Sequence, residues 1–522
     1  MLAALTPGRG AAQTPQPKTQ TTGSATDRQS RATATKDKPP PRRPVEIENL
    51  VNDARTVRAE FDADVLIRLA GSSNLVADRT WKRELLEEAF RAAGGASQPV
   101  RLYSYDGQVD TRPGYLTRAL ALLMDAMSLR LRVVAALMKI DKRRARELFA
   151  EMPPKLPLPR VECEDALVAD VSEFYDMLTR VAREAFTPAE RSRDEDVRFV
   201  ETYVDNITSP AQVRPVVEVI AAVGDTPARV ETLTRAYAKV LRNLNGDDRT
   251  FTAYLDNSAG GIRLLGAKSA EHGVAADQLL ASARDYFTRH LTAVRCADNV
   301  RRAARSAELF KSLDEILSEP APDAREPQHA TFAELRPARV AGEMQVFRHW
   351  QTPAGARLLF KIKELRFGAG AVGAPLSDAD RRTPQWEARL LEFRNELADW
   401  DERTEATAED YFHQKCVLYW ALLELVPPGA AQDQVLADYV AFLRKPTVQQ
   451  DSPLEWFMHV KDLLDLTRRT APETPPKRAK LLDALRDSGD PVLRLYSNLE
   501  RLLPPPAPQP PPKIVAAPPE SK

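Results

Sequence analysis

Cysteine and glycine are both scarce in this sequence of 522 residues, which contains three cysteines and 21 glycines. Cys163, Cys296 and Cys416 lie 133 and 120 residues apart, so the sequence has no Cys-x-x-Cys pair and no zinc-ribbon spacing. An odd and sparse set of cysteines also does not form a disulfide framework. We therefore expect each cysteine to behave as a small buried apolar side chain.

Long apolar runs are absent as well. The best candidate for a membrane span, residues 115–140, is interrupted by Arg118, Asp125, Arg130 and Arg132. A spanning helix needs about 18 or more uncharged apolar residues. The sequence therefore predicts no integral membrane segment, and we expect a helix of a soluble protein over 115–138.

Net charge is the third feature that the sequence lacks, because 74 basic side chains balance 74 acidic ones. Residues 45–503 alone carry a net charge of −7, whereas a nucleic-acid-binding domain is typically basic. The densest basic stretch, residues 139–146, is typical of the solvated face of a helix. We expect no nucleic acid among the partners of this protein.

Proline is abundant instead, and many of the 41 prolines lie at the two ends. Residues 1–44 carry seven prolines and a net charge of +6, and residues 504–522 carry nine prolines and a net charge of +1. Such segments bury too little apolar surface to offset chain entropy. We expect both to be disordered tails, with a polyproline II conformation in the C-terminal run.

The first dozen residues allow two interpretations. Residues 1–5 are apolar, and Ala11-Ala12 ahead of Gln13 are small residues like those before a signal-peptidase cleavage site. A basic n-region and a longer apolar stretch are missing. We favour the remnant of an export signal over residues 1–12, which places the protein in the periplasm or outside the cell. The alternative is the plain N-terminal tail of a cytoplasmic protein.

A recurring helix start is the strongest signal in the sequence. Residues 187–190, 209–212 and 452–455 each have a hydroxyl residue, a proline, any residue and then Glu or Gln. The hydroxyl can cap a free N–H, proline suits the first helical position, and Glu or Gln reaches back to the cap. Partial versions are Thr226-Pro227, Thr352-Pro353, Thr383-Pro384 and Asp490-Pro491.

Apolar side chains recur at helical spacing behind these starts. One stripe begins at Trp81, and others begin at Leu167, Phe412 and Trp456. A helix over 164–185 would carry the second of these stripes. Because no sustained alternation typical of strands is visible, the sequence predicts an all-α fold in which helices pack on helices.

Short connections between the predicted helices favour antiparallel hairpins. A long series of such hairpins commonly stacks as an α-solenoid, but no fixed repeat period is present. We expect an irregular solenoid-like array, or two helical units in series. Four prolines interrupt the helical pattern over 319–345. We therefore predict an N-terminal helical domain over 45–318, an irregular linker over 319–345 and a C-terminal helical domain over 346–503.

Two glycine-containing segments resemble nucleotide-binding motifs without their context. Residues 368–373 match a dinucleotide-binding turn, which needs a preceding strand. They follow a helical stripe instead, so we expect Gly368 to end a helix. Residues 261–269 miss the P-loop pattern by one residue. Ile262, Leu264 and Leu265 within them favour the packing face of a helix.

Glu409, His413 and Cys416 share one side of a predicted helix, at positions i, i+4 and i+7. Such residues could ligate zinc or a similar ion, but three ligands on one helix rarely close a tetrahedral shell. A histidine satisfied by a carboxylate one turn away is the alternative. His459, three residues before Asp462, is isolated in the sequence. We therefore assign no catalytic, cofactor-binding or metal-binding residue and expect no cofactor.

These features favour a non-catalytic helical-repeat scaffold that binds another protein or a peptide. This interpretation rests on the hairpin architecture, the lack of a catalytic motif and the presence of tails suited to tethering. The alternative is an exported all-α enzyme that acts on carbohydrate or cell-wall material, which rests on analogy between folds. A deep pocket with two or more convergent titratable side chains would favour the enzyme.

Overall fold

A computed structural model describes residues 43–104, 112–161, 167–245, 249–292, 353–401, 408–444, 446–470 and 475–503. Within these ranges the chain is mostly helical, which confirms the all-α class. The helices are α1 (Val45–Ala54), α2 (Ala59–Gly71), α3 (Arg79–Ala92), α4 (Arg112–Leu120), α5 (Ala126–Leu137), α6 (Lys142–Glu151), α7 (Ser172–Glu184), α8 (Pro188–Arg191), α9 (Glu195–Val204), α10 (Val213–Val223), α11 (Pro227–Asn243), α12 (Arg249–Glu271), α13 (Asp277–Thr292), α14 (Pro353–Phe367), α15 (Pro384–Asp399), α16 (Ala408–Leu425), α17 (Ala430–Leu443), α18 (Pro446–Asp451), α19 (Pro453–Thr470), α20 (Pro475–Arg486) and α21 (Pro491–Leu502).

The predicted hydroxyl–proline starts form helix N-termini. Their prolines begin α8, α11, α14, α15, α19 and α21, and Pro210 begins a 3₁₀ turn ahead of α10. At Thr187 and Ser209 both halves of the capping box are present. Side chains at three further starts accept a hydrogen bond from a first-turn N–H: Thr226, Thr383 and Asp490. Each cap stabilises its helix by about 1 kcal/mol.

Residues 115–138 form two helices, so the prediction of one continuous helix was wrong. The chain leaves α4 at Leu120, and Leu123 adopts a left-handed backbone with φ of 57°. The carboxylate of Asp125 then caps α5 by accepting a hydrogen bond from the N–H of Ser128 at 2.9 Å. An N-cap aspartate inside an apolar stretch restarts the helix in a new direction.

Two short strands form an antiparallel ribbon that the sequence did not predict. β1 (Leu102–Ser104) pairs with β2 (Leu167–Ala169), and Tyr103 lies opposite Val168. The expected helix over 164–185 was therefore wrong at its beginning, because β2 ends three residues before α7 begins. Three residues are too few to produce a visible alternating pattern.

Helices from the two ends of the described chain pack together. α1 and α2 contact α21, and α4 contacts α19. Phe61 of α2 is fully buried, with its ring centroid 5.0 Å from that of Phe457 and 6.3 Å from those of Trp456 and Tyr496. Helices on either side of the predicted linker therefore share one apolar core. The linker itself, 319–345, lies outside the described residues, and that domain boundary stays a prediction.

A buried network of charges reinforces this contact. Asp64 of α2 accepts hydrogen bonds from Arg132 of α5 at 2.6 Å and from the hydroxyl of Tyr496 of α21 at 2.8 Å. Arg68, one turn after Asp64, donates a hydrogen bond to the buried carboxylate of Glu500. Burial raises the pKa of Asp64, but the charges of Arg132 and Arg68 and the hydrogen bonds outweigh burial, so the net shift is downward. Asp64 is consequently ionised in the fold.

Several predictions fall wholly or partly outside the described residues. Of the predicted N-terminal tail only Arg43 and Pro44 are described, and Arg43 lies over the ring of Trp81, 5.0 Å from its centroid. Residues 504–522 and the cysteines Cys163 and Cys296 are not among the described residues. In the part of the chain that is described, no helix is long and apolar enough to span a membrane.

Candidate functional sites

The glycines at 368–373 end a helix, as the sequence predicts. Gly368 follows α14 directly, has φ of +91° and donates its N–H to the carbonyl of Glu364 at 2.8 Å. Such a left-handed residue is the common end of a helix and suits glycine. A dinucleotide-binding turn needs a strand in the place that α14 occupies. This segment therefore has the geometry of a helix end.

The near match to a P-loop at 261–269 lies inside α12. Ile262 and Leu265 are fully buried, which agrees with the predicted packing face, but Leu264 is 55% exposed and does not belong to it. Gly261 lies against α10, where a Cβ atom would come within 2.8 Å of Cδ of Arg214. The glycine permits close helix packing here and does not form a phosphate-binding loop.

The histidines form a cluster that the sequence analysis missed. His413 of α16 and His459 of α19 meet with Nδ1 of the first 2.9 Å from Nε2 of the second. Nε2 of His413 lies 2.6 Å from the carboxylate of Glu455, one turn before His459. His413 thus bridges His459 and Glu455 through its two ring nitrogens.

A tyrosine from the N-terminal half covers this cluster. The ring of Tyr115 in α4 stacks on His413 with a centroid distance of 4.3 Å and an interplanar angle of 13°. Burial, followed by the charges of His413 and Arg118, lowers the pKa of His459 well below its usual value. Asp462, three residues after His459, accepts a hydrogen bond from Arg118 of α4 at 3.1 Å. The stack ties α4 to α16, and the hydrogen bond ties α4 to α19.

The chemistry of this cluster is limited by its burial. A His–His–Glu chain could relay a proton, but the three side chains are at most 4% exposed, so a substrate has no access to them in this structure. The cluster thus serves to join α4, α16 and α19. No signal in the sequence could pair His413 with His459, since they lie 46 residues apart on different helices.

The predicted metal-binding trio is only partly described. Cys416 is fully buried, and burial raises the pKa of its thiol well above the usual value, which confirms its expected role as a small buried side chain. His413 contacts His459 and Glu455 of α19. The side chain of Glu409 lies outside the described residues, so the metal site stays a hypothesis. No group of three or more His, Cys, Asp or Glu side chains in the described ranges could hold a metal ion.

A surface on α14, α15 and their connecting loop carries an unusual share of exposed apolar side chains. Phe360 is 49% exposed, Val372 80% and Leu391 54%. They are half of the six large apolar side chains that are exposed in the described residues; the other three are scattered over α1, α12 and α16. We call Phe360, Leu391 and the helix faces between them the hairpin face.

Ion pairs fix how α14 and α15 lie against each other. The ammonium of Lys361 donates to Glu392 at 2.7 Å and also to Glu396, and Arg357, one turn before Lys361, lies 3.5 Å from Glu396. Later residues of α15 thus meet earlier residues of α14, so the helices are antiparallel. Hydrogen bonds to Glu392 and Glu396 raise the pKa of Lys361, which keeps its ammonium charged.

Helix geometry then places two of the apolar residues side by side. Phe360 precedes Lys361 and Leu391 precedes Glu392, so each is rotated by about 100° from the ion-pair seam. Because the two helices are antiparallel, this rotation places Phe360 and Leu391 on the same outer face of the pair. That face points away from the buried stripes that contain Leu358 and Leu390. The sequence held one signal for this face: both residues fall off the apolar stripe of their helix.

No protein-family model matches this sequence, and no curated protein is significantly similar to it.

Proposed function

We propose that this protein is a non-catalytic scaffold of irregular, solenoid-like helical hairpins that binds a protein or peptide partner through the hairpin face. The observation that carries the proposal is the concentration of exposed apolar side chains on α14, α15 and their loop. Single exposed apolar residues are normal on protein surfaces, whereas grouped ones mark interaction sites.

The surroundings of the hairpin face support the proposal. Phe360 and Leu391 flank a seam of ion pairs made by Arg357, Lys361 and Glu396. Apolar anchors beside charged side chains form the usual composition of a protein interface, with an apolar centre and a polar rim. A large aromatic side chain such as that of Phe360 can fill a pocket on the partner.

The alternative of an exported enzyme draws less support from the described residues. It requires titratable side chains that converge in a deep pocket. The convergent set in this structure, His413, His459 and Glu455, is buried beneath Tyr115. An arrangement of this kind favours a role in packing helices together.

The test is affinity capture with chemical crosslinking from the native cell, followed by a binding assay with the recovered partner. The double variant Phe360→Ser/Leu391→Ser removes the two apolar anchors, and Leu264→Ser is the matched control because Leu264 is 55% exposed on α12. Substitutions of such exposed residues change the free energy of unfolding by roughly 0.5 kcal/mol or less. All three proteins should therefore fold.

We expect one partner to be recovered reproducibly with the wild-type chain and with the Leu264→Ser control. The double variant should bind that partner at least tenfold more weakly, since loss of an interface anchor costs on the order of 1–2 kcal/mol or more. Recovery of no reproducible partner, or equal binding by the double variant, would contradict the proposal.

A further inference from the structure

An apolar pocket of about 340 Å³ lies between the end of α3, the first turns of α5, the chain after α6, and α7. Its walls are formed mainly by apolar side chains: Val100, Met127, Met152, Leu156, Leu158 and Phe174. This volume falls within the range of pockets that hold small molecules. The pocket is separate from the hairpin face, and it does not depend on the proposed scaffold function.

Arg130 of α5 is the charged residue among the described residues that line this pocket. Its guanidinium carbon lies 5.1 Å from the centroid of the Phe90 ring, and its buried Nε–H has no hydrogen-bond acceptor. No carboxylate or carbonyl among the described residues pairs with its side chain. A half-buried guanidinium without a counter-ion is unfavourable, because it loses hydration without gaining an ion pair.

Other arginines show that this situation is distinctive. Arg146, Arg381 and Arg478 also have one buried nitrogen without an acceptor. Each of them, however, makes an ion pair or a hydrogen bond through another nitrogen, with Glu190, the carbonyl of Leu425 and the carbonyl of Glu500 respectively. Each of these three also lies within 4.0 Å of a carboxylate, whereas no carboxylate of the described residues pairs with Arg130.

The other polar groups near the pocket already have hydrogen-bond partners, so Arg130 is the group that can bind an anion. The hydroxyl of Ser97 points to Glu60, with an oxygen–oxygen distance of 3.4 Å. The first N–H groups of α5, at Ala126 and Met127, donate to backbone carbonyls at 2.8 and 3.2 Å. The helix N-terminus is therefore already satisfied, and a bound anion would pair with the guanidinium.

Gly94 gives the guanidinium the space that it occupies. A Cβ atom at this position would come within 2.6 Å of Nη2 of Arg130, a distance that real Cβ contacts do not reach. Any other residue at 94 would push the guanidinium aside. A glycine at this point allows the charged group to lie at the pocket wall.

We propose that this pocket binds an alkyl carboxylate, with the carboxylate paired to Arg130 and the apolar tail against the pocket walls. The planar guanidinium suits a carboxylate because it can donate two parallel hydrogen bonds. The tail gains free energy by leaving water for an apolar surface. The ligand thus supplies a counter-ion to Arg130 and apolar contacts to the pocket walls.

Isothermal titration calorimetry of the full chain with sodium decanoate, below the concentration at which it forms micelles, tests the proposal. We expect saturable binding of one decanoate per chain, and at least tenfold weaker binding of the neutral analogue decanol. Arg130→Gln should weaken decanoate binding at least tenfold, because a charge-assisted pair is lost. Arg143→Gln, which changes an arginine of α6 whose side chain is 83% exposed, is the matched control and should bind decanoate as the wild type does.

Gly94→Ala provides a second variant that keeps the charge and moves it. Because the new methyl group displaces the guanidinium, we expect decanoate binding to weaken by a factor of about three to ten. Thermal unfolding followed by circular dichroism verifies that each variant is folded. Absence of decanoate binding to the wild type, or binding that neither Arg130→Gln nor Gly94→Ala weakens, would overturn the proposal.

Discussion

Helices α2 and α5 each carry charged side chains on two faces. On one face these side chains pair with each other, and on the other face they have buried atoms without a hydrogen-bond partner. Where α2 and α5 face each other, Asp64 and Arg132 form an ion pair at 2.6 Å. Two residues earlier on each helix, Asp62 has a buried oxygen without a hydrogen-bond partner and Arg130 has a buried nitrogen without one. Two positions along a helix correspond to a rotation of about 200°. Asp62 and Arg130 therefore lie on nearly the opposite side of their helices from Asp64 and Arg132.

The carboxylates show what a partner contributes. Burial, followed by the charge of Glu88, raises the pKa of Asp62 to about 6, while Arg55 lowers it only in part. The pKa of Asp64 is shifted downward although this residue is more deeply buried, because two arginines and a tyrosine stabilise its ionised form. The presence of partners, and not the depth of burial, decides the sign of the shift.

The largest effect on stability should come from Asp64→Ala, which removes the buried carboxylate that pairs with Arg132. Arg132 and Arg68 would lose the carboxylate that compensates them, so we expect the free energy of unfolding to fall by about 3–5 kcal/mol. Urea denaturation at pH 7 measures this change. A loss below about 1 kcal/mol would show that the network contributes little. Asp285→Asn, which alters an exposed carboxylate on α13, should have almost no effect.

Asp62→Asn should increase the free energy of unfolding, and by less than Asp64→Ala lowers it. The pKa of about 6 in the fold exceeds the value of about 3.9 in an unfolded chain. Between about pH 4 and pH 6 the folded state holds a proton that the unfolded state has lost, so stability falls as the pH rises. Because Asp62 is partly exposed, we expect Asp62→Asn to gain about 1 kcal/mol at pH 7.

The same variant should remove part of the pH dependence. Urea denaturation at pH 4 and at pH 7 measures the gain at each pH, and the gain should be present at pH 7 and nearly absent at pH 4. An equal gain at both pH values would mean that the amide acts by packing and that ionisation of Asp62 has no part in it.

The smallest effect on stability should come from Arg130→Met, compared with Arg132→Met on the same helix. Arg132→Met removes the ion-pair partner that donates a hydrogen bond to the buried Asp64, and it should cost about 3 kcal/mol or more. Arg130→Met removes an uncompensated charge and places an apolar side chain at an apolar wall, so the free energy of unfolding should change by less than about 1 kcal/mol. Similar losses in the two variants would contradict the distinction between the two faces.

Local sequence signals predicted the helices well, since caps and stripes act over a few residues. Thr187 and Ser209 form their capping boxes, and the stripe that begins at Trp81 is buried. The break at Leu123 was missed because an apolar stretch hides it, although Asp125 is a suitable N-cap. The strand at 167–169 was missed because it is too short to display a period.

Contacts between distant residues were beyond the sequence. Arg130 and Arg132 both interrupt an apolar stretch of the sequence. In the structure Arg132 faces a carboxylate and Arg130 does not. The partner of Arg132 is 68 residues away, and Tyr496, which shares that carboxylate, is 432 residues away from it. Periodicity assigns a face to a side chain, but it does not identify the residue on the opposite helix.

The contact between α2 and the last helix of the fold also constrains how the chain folds during synthesis. Phe61 and Asp64 complete their contacts only with Tyr496, which the ribosome adds more than 400 residues later. At about 5–20 residues per second, α2 waits roughly 20 to 90 seconds for that partner. During this interval Phe61 and Asp64 lack their contacts with Tyr496, so a chaperone that covers nascent apolar segments has time to act on α2.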